Sequence, residues 1–158
     1  MDWYKVQSKE RLTKDWMGDT REFPGYDFCL CKSGKVGVST ESICKACSYA
    51  MEMNSWHGCV TANEEKAYQE YAMEKLGEVF GWSDVVYFSN EEEAVNAIED
   101  VVAYAEKIAR EASVVRLEKE IAKCEKNLSS PNGKIADKAK TRLEKYTADL
   151  AGYKETQK

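Results

Sequence analysis

The sequence lacks several features that would place it in a common functional class. It has one histidine, His57, and no apolar run near the roughly 20 residues that a membrane-spanning helix needs. Its polar N-terminus contains no apolar segment typical of a secretory signal. Phosphate-binding loops, dinucleotide-binding glycine patterns, nucleophile elbows and H-E-x-x-H motifs are also missing. These absences predict a cytoplasmic protein with no membrane partner and no enzymatic activity.

Charge is distributed unevenly along the chain. The net charge is −5, yet residues 61–100 carry eleven acidic and two basic residues, whereas residues 101–158 carry thirteen basic and nine acidic ones. Proteins that wrap duplex DNA usually have a positive field over the folded domain, and this chain does not. The acidic segment instead favours a protein partner with a basic surface. The residues that we predict to contact this partner are Glu64, Glu70 and Glu74, although a solvated helix face is the alternative interpretation.

Cysteines, by contrast, are concentrated in one stretch. Residues 29–59 hold five of the six cysteines and the only histidine, spaced as C-x-C, then C-x-x-C, then H-x-C. Two pairs of closely spaced soft ligands, with a short stretch of chain between the pairs, are typical of a tetrahedral zinc site. We therefore predict one structural zinc ion, bound by Cys29, Cys31, Cys44 and Cys47. An alternative ligand set comprises Cys44, Cys47, His57 and Cys59.

The residues around these cysteines predict the local fold. Pro24-Gly25 predicts a turn, and the alternating run containing Gly34 and Gly37 predicts a hairpin after the first cysteine pair. Ser39 or Thr40 is suited to cap a helix that carries the second pair. Over residues 28–54 this order resembles the treble-clef zinc finger. The resemblance implies that the first turn and the N-terminus of the helix each supply two zinc ligands, and it implies no single function.

Three further elements are predicted downstream. Thr61-Ala62-Asn63-Glu64 has the pattern of a capping box and opens an acidic helix. Val85–Phe88 is a β-branched and aromatic run that predicts a strand, paired with the zinc hairpin or with an N-terminal strand. Helical apolar spacing over residues 98–153, interrupted at 129–133, predicts two helices in an antiparallel hairpin.

The predicted fold is therefore mostly helical α+β. Residues 1–60 would form an aromatic-rich zinc-binding domain, residues 61–97 an acidic helical and short-strand connector, and residues 98–158 the antiparallel helical hairpin. This architecture favours a non-enzymatic adapter or inhibitor that docks on a larger, nucleic-acid-handling assembly. Small accessory proteins of phages and mobile elements are similar to it in style.

Two alternative functions are consistent with the same pattern. The chain could be a zinc-finger nucleic-acid-binding protein in which the basic C-terminal tail contributes phosphate contacts, together with Lys32, Lys35 and Lys45. It could also be a structural protein that forms a homodimer through a coiled coil of the helical hairpin.

Overall fold

A long N-terminal hairpin organises the sheet. The computed structural model describes residues 3–77 and 84–156. Within it, strand β1 (Trp3–Lys14) pairs antiparallel with strand β2 (Thr20–Cys31). The turn between them is held by Asp15, whose carboxylate accepts hydrogen bonds from the backbone N–H groups of Met17 and Asp19 and from Arg21 Nε. Three bonds to one side chain therefore fix the tip of the hairpin.

The prediction of a turn at Pro24-Gly25 is wrong, because strand β2 continues through both residues. Glu10 pairs with Pro24 and Lys9 with Tyr26, so Gly25 is an extra residue in the ladder. Proline cannot donate a ladder hydrogen bond, and such bulges accommodate it while bending the strand. Pro24-Gly25 therefore forms a bulge within β2 and does not end the strand.

Two short strands complete a sheet of order β1-β2-β3-β4, in which β3 covers Val36–Ser39 and β4 covers Val85–Phe88. Each pairs antiparallel with its neighbour, so the strand predicted at Val85–Phe88 is confirmed and its partner is the strand after the first cysteine pair. Side chains alternate between the two faces. Val36, Val38 and Phe28 are buried beneath the helices, whereas Tyr87 on the opposite face is 59% exposed. One face of the sheet is therefore covered by helices.

The four helices are α1 (Thr40–Asn54), α2 (Ala62–Leu76), α3 (Glu91–Asn127) and α4 (Gly133–Thr156). A single turn of 3₁₀ helix, Trp56–Gly58, follows α1. The predicted capping box at Thr61 is present, with the Glu64 carboxylate accepting from Thr61 N–H at 2.6 Å. The predicted helical hairpin is also present, because α3 ends at Asn127 and α4 packs back along it.

One apolar cluster joins the sheet to the first three helices. It draws buried side chains from positions 26 to 109, among them Ile43 and Met51 of α1, Tyr68 of α2, and Ile98 and Val102 of α3. Beyond this cluster α3 and α4 share a narrower seam, whose buried members are Leu117, Cys124, Ala139 and Tyr153. The second half of α3 and the first half of α4 therefore form an arm that extends from the body of the protein. Among residues 3–77 and 84–156, no helix has both the length and the apolar composition to cross a membrane.

A buried carboxylate connects the hairpin, α1 and α3. Glu106 of α3 is 7% exposed and accepts hydrogen bonds from Arg11 Nη1 and Thr13 Oγ1 of β1. Asn54 Nδ2, at the end of α1, donates to the same carboxylate at 3.3 Å. Arg110 Nη2 lies 3.9 Å from it, and Arg110 Nε donates to Asn54 Oδ1 at 2.8 Å. Since a buried charge is tolerated only when it is paired and hydrogen-bonded, these groups must assemble together.

We predict that Glu106→Ala lowers the free energy of unfolding by about 3 kcal/mol, because the substitution leaves the partly buried Arg11 and the buried Asn54 without their acceptor. The matched control is Glu111→Ala, which removes an exposed carboxylate of the same helix whose ion pair with Lys107 spans 3.9 Å. That change should cost no more than about 0.5 kcal/mol. Urea denaturation of both variants at neutral pH measures the difference, and equal destabilisation would contradict the central role of Glu106.

Candidate functional site

The two predicted pairs of zinc ligands lie on different sides of the sheet. Cys29 pairs with Gly37, and Cys31 is the last residue of β2, so alternation along the strand puts both on the face opposite Phe28. Phe28 packs in the apolar cluster that α1 covers, and Cys47 of α1 belongs to the same cluster. The sheet backbone therefore separates the strand cysteines from the helix cysteines.

The helix cysteines have environments suited to neutral thiols. Cys47 is fully buried, and burial raises its pKa above the ordinary range. Burial also raises the pKa of Cys44, which lies three residues earlier on α1. Only the thiolate is a zinc ligand, and an apolar surrounding disfavours it. Cys31 differs, since a hydrogen bond from Ser33 Oγ at 3.4 Å lowers its pKa.

The zinc-finger interpretation of residues 28–54 is therefore wrong. Among the described residues, no three histidine, cysteine, aspartate or glutamate side chains come close enough together to hold a metal ion. The hairpin-then-helix order is real, but β2 belongs to a long ribbon with β1 and is not the short knuckle of a treble clef. All six cysteines are free thiols. The predicted ligands are thus not brought together as a group in the described residues, and the zinc-stabilised part of the predicted fold has no support from their arrangement.

His57 and Cys59, the alternative ligands, are both exposed and lie in and just after the 3₁₀ turn. The His57 ring lies between two indoles, with centroid distances of 4.6 Å to Trp16 and 4.9 Å to Trp56. Trp56 in turn packs edge-on against Tyr146 of α4 at 5.1 Å. His57 adopts a left-handed conformation with φ of 55°, which is uncommon for a residue other than glycine. The result is an aromatic row at the base of the arm, which the spacing of cysteines and histidine did not predict.

Acidic side chains form a second surface, which we call the acidic surface, on α2 and the start of α3. The side of α2 that faces the core contains Tyr68, Ala72 and Leu76. Two cations, Lys66 and Lys75, lie among the carboxylates. The exposed carboxylates of this surface belong to Glu65, Glu70, Glu74, Glu91, Glu92, Glu93 and Asp100.

Glu64 differs from the other two residues predicted to contact a partner. It is 5% exposed, its Oε2 completes the capping box, and its Oε1 lies 3.6 Å from Arg116 Nη2 of α3. Oε2 is therefore hydrogen-bonded within the chain, whereas buried Oε1 accepts no hydrogen bond and has the Arg116 guanidinium as its counter-charge. Glu70 and Glu74 are exposed and remain available to a partner.

No known protein family matches the chain. Neither a curated protein nor a solved structure matches it.

The arrangement of the thiols predicts a graded reactivity. In the native protein at mildly alkaline pH, a thiol reagent should modify exposed Cys59 first and buried Cys47 last, because only the accessible thiolate reacts. Mass spectrometry after timed quenching identifies the modified positions. Protection of Cys29, Cys31, Cys44 and Cys47 as one group, lost together on adding a chelator, would contradict this order. Metal analysis of the same sample tests the zinc prediction directly.

Proposed function

We propose that the protein is a non-enzymatic adapter or inhibitor that docks on a larger protein assembly through its acidic surface. The observation that carries this proposal is the concentration of exposed carboxylates on α2 and the first turns of α3, with only two cations among them. Charged surfaces of one sign steer association and determine the choice of partner. The partner would present a basic surface, such as the nucleic-acid channel of an enzyme.

The contacts beneath the acidic surface support a rigid docking face. Tyr71 of α2 stacks on Tyr104 of α3 with a centroid distance of 3.8 Å, and its hydroxyl donates to Asp100 at 2.8 Å. Lys75 lies over the Tyr71 ring at 5.5 Å. These contacts fix the two helices relative to each other. A preformed surface loses little conformational freedom on binding, which favours affinity.

A dimeric coiled coil receives less support from the arm. Its seam residues Leu117, Cys124 and Ala139 are already buried between α3 and α4 of one chain. The apolar side chains that remain exposed at the tip are Leu128 and Ile135. A seam that is filled within the chain leaves little apolar area to hold a second copy.

The proposal predicts that Glu70→Lys combined with Glu74→Lys slows association with the partner by about tenfold or more at low salt, because steering depends on the sign of the surface. The partner is first captured from the native host with the wild-type chain. Association and dissociation rates of both proteins are then measured at several salt concentrations. The dissociation rate should change less than the association rate.

The matched control is Glu118→Lys combined with Glu125→Lys, which makes the same change of net charge at two exposed positions of the arm. At about 0.1 M salt its association rate should stay within about twofold of wild type, since the Debye length there is about 10 Å. Equal slowing by both double variants, or unchanged association of the first, would refute docking through the acidic surface. Circular dichroism confirms that both variants are folded.

A further inference from the structure

The arm has a basic face that is separate from the acidic surface. On α4, positions 134, 138, 142 and 145 follow spacings of four, four and three residues, so their side chains form one row along the helix. On α3, Lys119 and Lys123 lie on successive turns of the same arm. The six residues of this basic face are Lys119, Lys123, Lys134, Lys138, Arg142 and Lys145, and all six are exposed.

Contacts at the base of the arm show that both rows lie on one face. Asp149 continues the α4 row by four residues, and its carboxylate accepts from Trp56 Nε1 at 3.0 Å. Arg116 lies seven residues, or two turns, before Lys123, and its Nη2 donates to the carbonyl of Cys59 at 2.6 Å. Residues 56–59 therefore touch the beginning of both rows. The two rows continue side by side from this segment toward the tip.

Little negative charge neutralises this face. Glu120 lies beside it and pairs with Lys123 at 3.4 Å. Among the described residues, the four α4 cations form no ion pair. The other acidic residues in the second half of α3 are spaced by seven and lie on the opposite side of the seam; they are Glu111, Glu118 and Glu125. The basic face is thus a patch about 16 Å long, from the rise of 1.5 Å per residue between Lys134 and Lys145.

Aromatic rings adjoin the patch at the base of the arm. Trp56 touches the α4 row through Asp149, and the exposed ring of His57 lies between Trp56 and the partly exposed Trp16. Cationic side chains that follow a phosphate backbone, next to rings on which bases stack, are the combination used by proteins that bind single strands. Bases inside a duplex are already stacked and cannot use such rings.

We propose that the basic face and the adjoining Trp16–His57 rings bind single-stranded nucleic acid. The lysines and Arg142 contact successive phosphates, and an unpaired base stacks at the aromatic row. This surface is distinct from the acidic surface and does not depend on it.

Fluorescence anisotropy with a labelled oligothymidine tests the proposal on the full chain. Binding should weaken with salt, and the slope of log K against log salt should be about −0.7 for each phosphate contacted. Lys138→Glu combined with Arg142→Glu should weaken binding at least tenfold and make the slope shallower by about 1.4, the loss of two contacts. Trp16→Leu should weaken binding about fivefold or more, the loss of one stacked base, and leave the slope unchanged.

The matched control is Lys140→Glu combined with Lys154→Glu, two exposed positions of α4 outside the row. It changes the net charge equally but removes no phosphate contact of the basic face, so its affinity should stay within about threefold of wild type. Absence of binding at low salt, or equal weakening by both double variants, would overturn the proposal. Equal or tighter binding to a duplex of the same length, or to vesicles containing phosphatidylserine, would overturn it as well.

Discussion

The compensation of one buried charge determines how the parts of this protein fit together. Glu106 lies in the interior of α3, and its carboxylate is stable there only because β1, α1 and α3 itself bring donors to it. The outer half of the β1–β2 hairpin extends past β3, which pairs with β2 only at residues 28–30. Arg11, which also binds Glu99 at 2.8 Å, therefore attaches the hairpin to the helices in place of a third strand.

The same network positions the base of the arm. Asn54, which donates to Glu106, offers its backbone carbonyl to the Tyr153 hydroxyl of α4 at 3.0 Å. One residue later the chain turns, and Trp56 N–H donates to Ser113 Oγ of α3 at 2.9 Å. The backbone N–H of Trp16, at the hairpin tip, donates to the Met53 carbonyl at 2.8 Å. The aromatic row around His57 is thus assembled by contacts from the hairpin, α1, α3 and α4, and no single sequence motif encodes it.

Local signals in the sequence predicted local structure well. The capping box at Thr61, the strand at Val85–Phe88 and the hairpin of α3 and α4 follow from side-chain chemistry within a few residues of each element. The prediction of a zinc site from cysteine spacing failed because spacing does not show which face of a strand a residue occupies. Alternation along β2 placed Cys29 and Cys31 on the face away from α1. The Glu64–Arg116 ion pair was not predicted for a related reason: the two residues are 52 positions apart in the sequence, too far for a local pattern to indicate. The basic row of α4 could have been found from its helical spacing alone, but its alignment with Lys123 required the packed hairpin.

Helix α3 separates the two charged surfaces of the molecule. Its first turn carries Glu91, Glu92 and Glu93, and Lys123 lies 30 residues later, which at 1.5 Å per residue is about 45 Å along the axis. The Debye length at physiological salt is about 8 Å, so the carboxylates of this first turn and Lys123 are screened from each other. A net charge of −5 therefore does not describe how charge is distributed over the surface. A basic protein surface would be attracted to one end and a polyanion to the other, and because one continuous helix connects the two ends, ligands bound at both would be held at a fixed separation.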